Sequence, residues 1–430
     1  MNGRPHIGEI IKDLREQRGL SQEALAGAMF INRSLLSQIE NGKLECSDDM
    51  LHSLKAALDI SNLPLCDLER DEFIDDLHKW YDIISERKLD EAKELRVRLS
   101  VIKLLPHDKE SNILFSLFEC RLLLIMDERA KSKEILDALD VDALSHVQLY
   151  HYYFNQGTYN IKNKCHQEAL DLYLKAYDLV KYERGKSAVL YYNIALAYRE
   201  LGFINQSITF LEKACVLHTQ NRSSLSEFYL YNFLGISYAN IGLLQRSEIL
   251  LDKAYEIAVY EHKSNIHSTT KTNLGIVHLN YGFLYRMAKK WSRAIRYFDS
   301  ALTYLEIEDI NYLETLYQKM RTLIEMGNLS ACIRLFDEGI ELSKNHEAYS
   351  LAFETLKIIV NPDDKSAIHL ETNILPYFLE NREVHWALDF AKFLSDYYKA
   401  KEKGHVRRSL NMSHTARLIL EQMLEGGVIR

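Results

Sequence analysis

One spacing of small and large residues recurs four times in the middle of this 430-residue chain. In each copy a small residue is followed, 12, 4 and 3 positions later, by a small, a large and a small residue. The copies are Gly157-Ala169-Tyr173-Ala176, Ala195-Ser207-Leu211-Ala214, Gly235-Ser247-Leu251-Ala254 and Gly282-Ala294-Phe298-Ala301. Small residues let two antiparallel helices approach closely, and the large residue fills the gap between them. The pattern therefore predicts a stack of helical hairpins.

The spacing resembles that of the tetratricopeptide repeat, a helical hairpin that stacks into a right-handed superhelix. The copies begin 38, 40 and 47 residues apart, so some helices or loops are longer than in the usual repeat of about 34 residues. Weaker copies surround Ala92, Ser132 and Cys332, and another lies near Ala387. The resemblance implies about seven to nine hairpins over residues 73–425. The chain has only 17 Gly and 5 Pro, which favours long helices over the frequent turns of a sheet.

The first 62 residues have a different pattern, which predicts four short amphipathic helices joined by tight turns. Apolar residues at Ile7, Ile10, Ile11 and Leu14 form one face of the first helix. The candidate caps are Ser21, Asn32 and Ser47 at helix starts, and Gly19 and Asn41-Gly42 at helix ends. Phe30 and Ile31 are expected to fill the corner between the second and third helices.

The run LSQEALAGAMFINRSLLSQIENGK, residues 20–43, resembles the helix-turn-helix of the Xre/Cro/phage-repressor family. The matching elements are Leu20-Ser21-Gln22-Glu23, Arg33-Ser34 and Ile39-Glu40-Asn41-Gly42-Lys43. The chain departs from the family in one place, because the turn usually has glycine where Phe30 stands. The segment Asn62-Leu63-Pro64-Leu65 then breaks the helical pattern. We expect a DNA-binding domain at 1–62, a linker at 63–72 and an all-α repeat domain at 73–430.

The third helix of such a domain enters the major groove of double-stranded DNA, with its first turn towards the base edges. Arg33 can bind guanine or phosphate, Gln38 can read adenine, and Leu35 can contact a thymine methyl group. Gln22 can bind phosphate and brace the reading helix. The predicted DNA contacts are Gln22, Arg33, Ser34, Leu35, Ser37, Gln38, Asn41 and Lys43. The alternative for Leu35 and Ser37 is that they pack or face solvent.

In a tetratricopeptide superhelix the concave face is lined by the first helix of each hairpin. The position two residues before the small residue points into this groove and holds Asn155, Asn193 and Asn280, while Asn232 lies one residue out of line. Carboxamides offer the donor and acceptor that an extended peptide backbone needs. Arginines four residues past the small position can bind a carboxylate. The predicted peptide contacts are Asn155, Asn193, Arg199, Asn232, Asn280 and Arg286, with Tyr192, Tyr229 and Phe283 as candidate apolar pockets. The alternative is that these asparagines and aromatic residues only pack.

The order of the two domains resembles that of the Rap–Rgg–NprR–PlcR–PrgX (RNPP) peptide-pheromone receptors of Gram-positive bacteria, in particular the NprR and PlcR types. That resemblance implies quorum sensing: an imported oligopeptide binds the groove, asparagines hold its backbone, and the repeats form a homodimer. Asn193, Asn232 and Asn280 are the positions that match. The peptide would shift the population of superhelix curvatures and thereby the spacing of the two DNA-binding domains. The sign of regulation stays open.

Net charge, cysteine usage and missing motifs exclude some classes of protein but do not themselves support DNA or peptide binding. The net charge is −8, so DNA binding must depend on local basic residues. The six cysteines form no C-x-x-C pair, which is typical of reduced thiols in the cytoplasm. We predict no membrane span, no metal and no cofactor, and no enzyme, because the chain lacks the nucleophile, phosphate-loop and metalloprotease motifs. Two alternatives remain: the groove binds a segment of another protein such as a response regulator, or the repeats serve dimerisation alone.

Overall fold

Every regular element that the structure describes is helical. The computed structural model describes residues 7–58, 67–101, 109–180, 188–221, 227–264, 268–381, 383–401 and 406–425, and no strand occurs in these ranges. The chain forms two compact units, Met1–Asn163 with Lys175–Arg184 and Lys164–Leu174 with Gly185–Arg430. Within the same ranges, no helix combines the length and the apolar character needed to cross a membrane.

The N-terminal part of the first unit has the four predicted helices and their caps. They are α1 (Ile7–Gln17), α2 (Gln22–Ala28), α3 (Arg33–Glu40) and α4 (Asp48–Ala57). The side chains of Ser21, Asn32 and Ser47 each accept a hydrogen bond from the main-chain N–H three residues later. Gly19 and Gly42 have the left-handed backbone expected of helix ends. The four apolar faces enclose a small core that includes Ile11, Leu25, Leu36 and Leu54.

Nineteen further α-helices follow in the described ranges. They are α5 (Asp67–Ser85), α6 (Leu89–Val101), α7 (Lys109–Ile125), α8 (Arg129–Asp137), α9 (His146–Lys162), α10 (His166–Leu179), α11 (Ala188–Glu200), α12 (Ile204–Asn221), α13 (Glu227–Asn240), α14 (Leu244–Ser264), α15 (Ser268–Met287), α16 (Trp291–Tyr304), α17 (Ile310–Glu325), α18 (Leu329–Leu342), α19 (Glu347–Val360), α20 (Asp364–His369), α21 (Leu375–Glu380), α22 (Val384–Ala400) and α23 (Val406–Glu425). A 3-10 turn at Val141–Ala143 lies between α8 and α9, and a π-helical turn at Leu370–Ile374 joins α20 to α21. Helix α5 begins inside the predicted linker at 63–72, and the four linker residues before it lie outside the described ranges.

The helices from α5 to α18 are paired by one repeated turn. A residue with left-handed backbone lies two positions after the first helix of each pair and two positions before the second. These residues are Arg87, Asp127, Lys164, Gly202, Gly242, Lys289 and Gly327. Seven such turns agree with the seven to nine hairpins predicted from the spacing.

Packing inside the second unit explains the repeated spacing. A Cβ added to Gly235 would touch the Leu251 side chain at 3.0 Å, and one added to Gly282 would lie 2.8 Å from Cζ of Phe298. Each glycine lies on the first helix of its hairpin, and the large side chain comes from the second. The first helices α13, α15, α17 and α19 also contact one another in series. Small residues therefore bring the two helices of a hairpin together, as predicted.

Candidate DNA-reading and ligand-binding surfaces

Glu40, at the end of α3, ties the candidate reading helix to both preceding helices. Its side chain is buried and accepts hydrogen bonds from Nε of Arg15 at 2.7 Å and from Nε2 of Gln22 at 2.8 Å. Arg15 also donates to the Leu20 carbonyl oxygen at 2.9 Å. Gly8 allows α1 this close approach, because a Cβ there would overlap the Ile39 carbonyl oxygen. The orientation of α3 is thus fixed by a buried, charge-assisted network.

The predicted DNA contacts on α3 divide into two groups. Arg33, Ser34 and Gln38 are exposed, as is Lys43 beyond the end of the helix. Leu35 is half-buried and packs against the domain core, which leaves it less surface for a base than expected. Ser37 and Asn41 are engaged locally, because Asn41 Nδ2 donates to the Ser37 carbonyl oxygen at 2.6 Å. Gln22 is held by Glu40, in keeping with its predicted bracing role.

Phe30 does not fill the corner between α2 and α3, contrary to our prediction. Ile31 is partly buried against the core, but Phe30 is 97% exposed and fills nothing. Its φ is +56°, in the left-handed region that the glycine of related domains adopts without strain. The main chain thus keeps the usual turn, and the phenylalanine side chain projects into solvent.

Asn155, on α9, is a packing residue in this structure. Only 2% of it is exposed, and its Nδ2 donates to the Leu117 carbonyl oxygen of α7 at 2.7 Å. This bond joins the first helices of two successive hairpins within the first unit. The prediction that Asn155 contacts a peptide is therefore not supported, because both its position and its donor are already used.

Asn232 and Asn280 form a pair in the second unit. Asn280 Nδ2 on α15 donates to Asn232 Oδ1 on α13 at 2.9 Å, and both side chains are half-buried. The carbonyl oxygen of Asn280 and the amino group of Asn232 have no further hydrogen bond among the described residues. Asn193 occupies the equivalent repeat position on α11 and is also half-buried. The paired amides thus leave the carbonyl oxygen of Asn280 as an acceptor and the amino group of Asn232 as a donor, which match the N–H and C=O of a peptide unit.

The two predicted arginine contacts are both held by carboxylates of the chain itself. Arg199 donates to Glu200 at 2.6 Å and lies 4.5 Å over the Phe233 ring, which in turn packs edge-on against Tyr192. Arg286 is only 7% exposed and donates to Glu325 at 2.8 Å. A ligand carboxylate would have to displace Glu325, so the structure does not support an open anion contact at Arg286.

Sequence reasoning missed a row of polar residues on one face of α17. This row lies between the polar residues of α15 and those of α22. Glu314, Gln318, Arg321 and Glu325 recur at intervals of 4, 3 and 4 residues, a helical spacing that signals one face. Arg321 forms an ion pair with Asp389 of α22 at 2.8 Å, while Gln318 donates to Glu314 at 2.8 Å. We call the following set the inner polar surface. It comprises Asn193, Arg199 and Glu200 on α11, Asn232 on α13, Asn280 and Arg286 on α15, Glu314, Gln318, Arg321 and Glu325 on α17, and His385 and Asp389 on α22 with the adjoining Glu383.

The inner polar surface has more carboxylates than cations. Burial, together with the neighbouring Glu200 and Glu314, raises the pKa of Glu383 above its usual range. Burial and nearby Arg199 lower the pKa of His385, so this imidazole does not supply a compensating charge at neutral pH. Arg199, Arg286 and Arg321 are each paired with a carboxylate. Of the described carboxylates on this surface, Glu314 and Glu383 therefore remain without an ion pair, with Lys164 near Glu383. Among the described residues no group of His, Cys, Asp and Glu is arranged to hold a metal ion.

Both the N-terminal part and the repeats of this chain are similar to known proteins. The family described as "Helix-turn-helix domain" matches residues 6–64. The transcriptional activator NprA of Geobacillus stearothermophilus is 24% identical over 392 residues, which are 87% of this chain and 94% of NprA. Along the sequence, this relationship therefore includes the repeats as well as the N-terminal domain.

Solved structures show the same fold. A Rap protein in complex with competence and sporulation factor superposes with a TM-score of 0.68 at 16% identity, over 83% of this chain and 99% of the Rap chain. The apo form of the quorum sensor NprR of B. thuringiensis gives 0.64 at 22% identity, over 83% and 100% of the two chains. NprR in complex with its cognate peptide NprX gives 0.62 at 19% identity, over 81% and 99%. The helix-turn-helix match, the similarity to NprA and the shared repeat fold show a helix-turn-helix domain followed by tetratricopeptide-like repeats, and they support the resemblance to the RNPP family.

Proposed function

We propose that this chain is a cytoplasmic transcription regulator that reads DNA with α3 and binds a short signalling peptide on its inner polar surface. Two copies would form a homodimer, whose helix-turn-helix domains reach half-sites about one helical turn of DNA apart. The peptide would favour one arrangement of the repeats and so change DNA affinity by a population shift. The relatives that support this proposal are a transcriptional activator and a quorum sensor with a cognate peptide.

The observation that carries the peptide proposal is the pair of carboxamides from Asn232 and Asn280. The hydrogen bond between them aligns the two side chains and leaves the Asn280 carbonyl oxygen and the Asn232 amino group without a partner among the described residues. An extended peptide presents an N–H and a C=O to each such pair, and so satisfies both without breaking the bond between them. The acidic excess of the same surface favours a peptide with a basic residue or a free N-terminal ammonium group.

Calorimetric titration with short synthetic peptides from small reading frames beside the gene tests peptide binding. We expect at least one peptide to bind, and Asn280→Ala to weaken it about three- to tenfold, the value of one or two neutral hydrogen bonds. Asn205→Ala is the matched control, because Asn205 is an exposed amide on α12. Absence of binding by every peptide, with DNA binding intact, would count against this half of the proposal.

The DNA half is tested separately with duplexes that the protein selects from a randomised pool. Arg33→Ala should weaken binding of the selected duplex by about 1–3 kcal/mol and relax the sequence preference at one base pair. Arg18 is an exposed arginine outside α3 and provides a charge-matched control. Unchanged affinity and sequence preference in the Arg33 variant would show that α3 is not the reading helix.

A further inference from the structure

The turn between α2 and α3 holds an aromatic side chain that the free protein does not use. Phe30 has a φ of +56° and is 97% exposed. The other described residues that combine a positive φ with a side chain are Arg87, Asp127, Lys164 and Lys289, all of them charged. A charged side chain is well solvated at such a turn, whereas an exposed phenylalanine ring leaves its whole apolar surface in water.

Two unfavourable features therefore coincide at one residue. Left-handed backbone is disfavoured for every L-residue and most readily tolerated by glycine, asparagine and aspartate. The exposed ring contributes no burial that would offset this cost. Strain that persists without a packing reason points to a role in a bound state.

The position of Phe30 indicates what it meets in that state. It lies three residues before Arg33, so their Cα atoms cannot be more than about 11 Å apart. The major groove is about 12 Å wide, and the N-terminus of a reading helix inserts into it. The turn is held by hydrogen bonds from the N–H of Phe30 to the Gly27 carbonyl oxygen at 3.2 Å and from the N–H of Ile31 to the Ala26 carbonyl oxygen at 3.0 Å. With Arg33 at a base edge, the Phe30 ring therefore lies within reach of the groove wall.

We propose that Phe30 is a further DNA-contact residue, whose ring packs on the apolar C–H surface of the duplex beside the half-site read by α3. DNA offers two such surfaces there, the thymine methyl group and the deoxyribose carbons. The contact excludes water from the ring and adds affinity without adding charge. This inference rests on the proposed DNA binding by α3.

The test measures stability and DNA affinity of the full-length protein in the same variants. Phe30→Gly relieves the strain, so its thermal midpoint should rise above that of the unchanged protein. Its affinity for the selected duplex should nevertheless fall about five- to tenfold, as expected when part of an apolar ring stays in water. The dependence of affinity on salt should not change, because no phosphate contact is lost. Phe30→Leu keeps an apolar side chain and should retain part of the affinity.

Opposite movements of stability and affinity are the signature of the proposal. If Phe30→Gly is more stable but binds the duplex as tightly as the unchanged protein, the proposal for Phe30 is wrong. The Arg33→Ala variant tests DNA reading by α3 separately. A lower thermal midpoint would contradict the claim that the ring is unused in the free protein. Replacing thymine by deoxyuridine in the half-site then shows which part of the DNA the ring contacts. If the ring packs on the methyl group, the replacement weakens binding of the unchanged protein but not of Phe30→Gly. If it packs on deoxyribose, the replacement has the same effect on both proteins.

Discussion

The close approach of α15 and α16 predicts that Gly282→Ala destabilises the repeat domain. A Cβ at this position would lie 2.8 Å from Cζ of Phe298 and nearer still to two other ring carbons. Phe298 is 0% exposed, so its ring cannot move aside into solvent. Adding a methyl group to a packed core costs about 1–3 kcal/mol. The overlap with three ring carbons places this cost in the upper part of that range, at about 2–3 kcal/mol. Replacing glycine by alanine inside a helix returns about 1 kcal/mol, which leaves a net loss of about 1–2 kcal/mol.

Two other helical glycines, which have more space around them, serve as controls. Gly235→Ala should be milder, because its nearest neighbour is the flexible Leu251 side chain at 3.0 Å. Gly27→Ala on α2 should stabilise its own domain, since a Cβ there meets nothing within 4 Å. Thermal and urea unfolding followed by circular dichroism would measure all three. The midpoint should shift by about 2–4 °C per kcal/mol for the two repeat-domain variants and by about 4–8 °C per kcal/mol for the Gly27 variant in its small domain. A Gly282→Ala variant as stable as the unchanged protein would refute the packing explanation of the repeat spacing.

Other buried contacts can be tested by single substitutions or by chemical labelling. Asn155→Leu should destabilise the first unit by about 0.5–1.5 kcal/mol, because the bond from Asn155 to the Leu117 carbonyl oxygen is lost, while peptide affinity measured by calorimetry stays the same. Glu40→Ala should cost up to about 3–5 kcal/mol, because the buried Arg15 keeps only its longer ion pair with the exposed Glu16 at 3.3 Å. DNA binding in a gel-shift assay should then be lost and peptide binding retained. Cys165 is exposed, whereas burial raises the pKa of Cys120 to about 12. Peptide mapping after iodoacetamide treatment at pH 8 should therefore find Cys165 alkylated well before Cys120, and equal rates would contradict the burial.

The helix-turn-helix and the hairpin spacing were predictable because both are local. A cap depends on one side chain and the main chain three residues away, so Ser21 and Asn32 could be assigned from sequence and are confirmed. The small-large spacing is also local to a hairpin, and Gly282 with Phe298 shows the contact that it encodes. The environment of Phe30 was not predictable in the same way, because an apolar residue in a turn gives no sign of whether it points inward.

The chemistry of the inner polar surface depends on which helices become neighbours. Asn155 and Asn280 hold the same place in the repeat, yet one bonds to a main-chain carbonyl and the other to Asn232. Nothing within a single repeat distinguishes them. The ion pair between Arg321 and Asp389 joins residues that are far apart in sequence, and only the stacking of α17 against later helices brings them together. The sequence pattern alone therefore overestimated the arginines as open anion sites.

Coupling between the two surfaces is the central claim, and one linked titration tests it most directly. The affinity of the selected duplex is measured with and without saturating peptide, and the affinity of the peptide is measured with and without saturating duplex. If peptide and DNA act through one conformational equilibrium, both affinities change by the same factor, which is typically about 5- to 150-fold, and Asn280→Ala reduces the response to a given peptide concentration. Affinities for each ligand that are identical with and without the other would contradict the account.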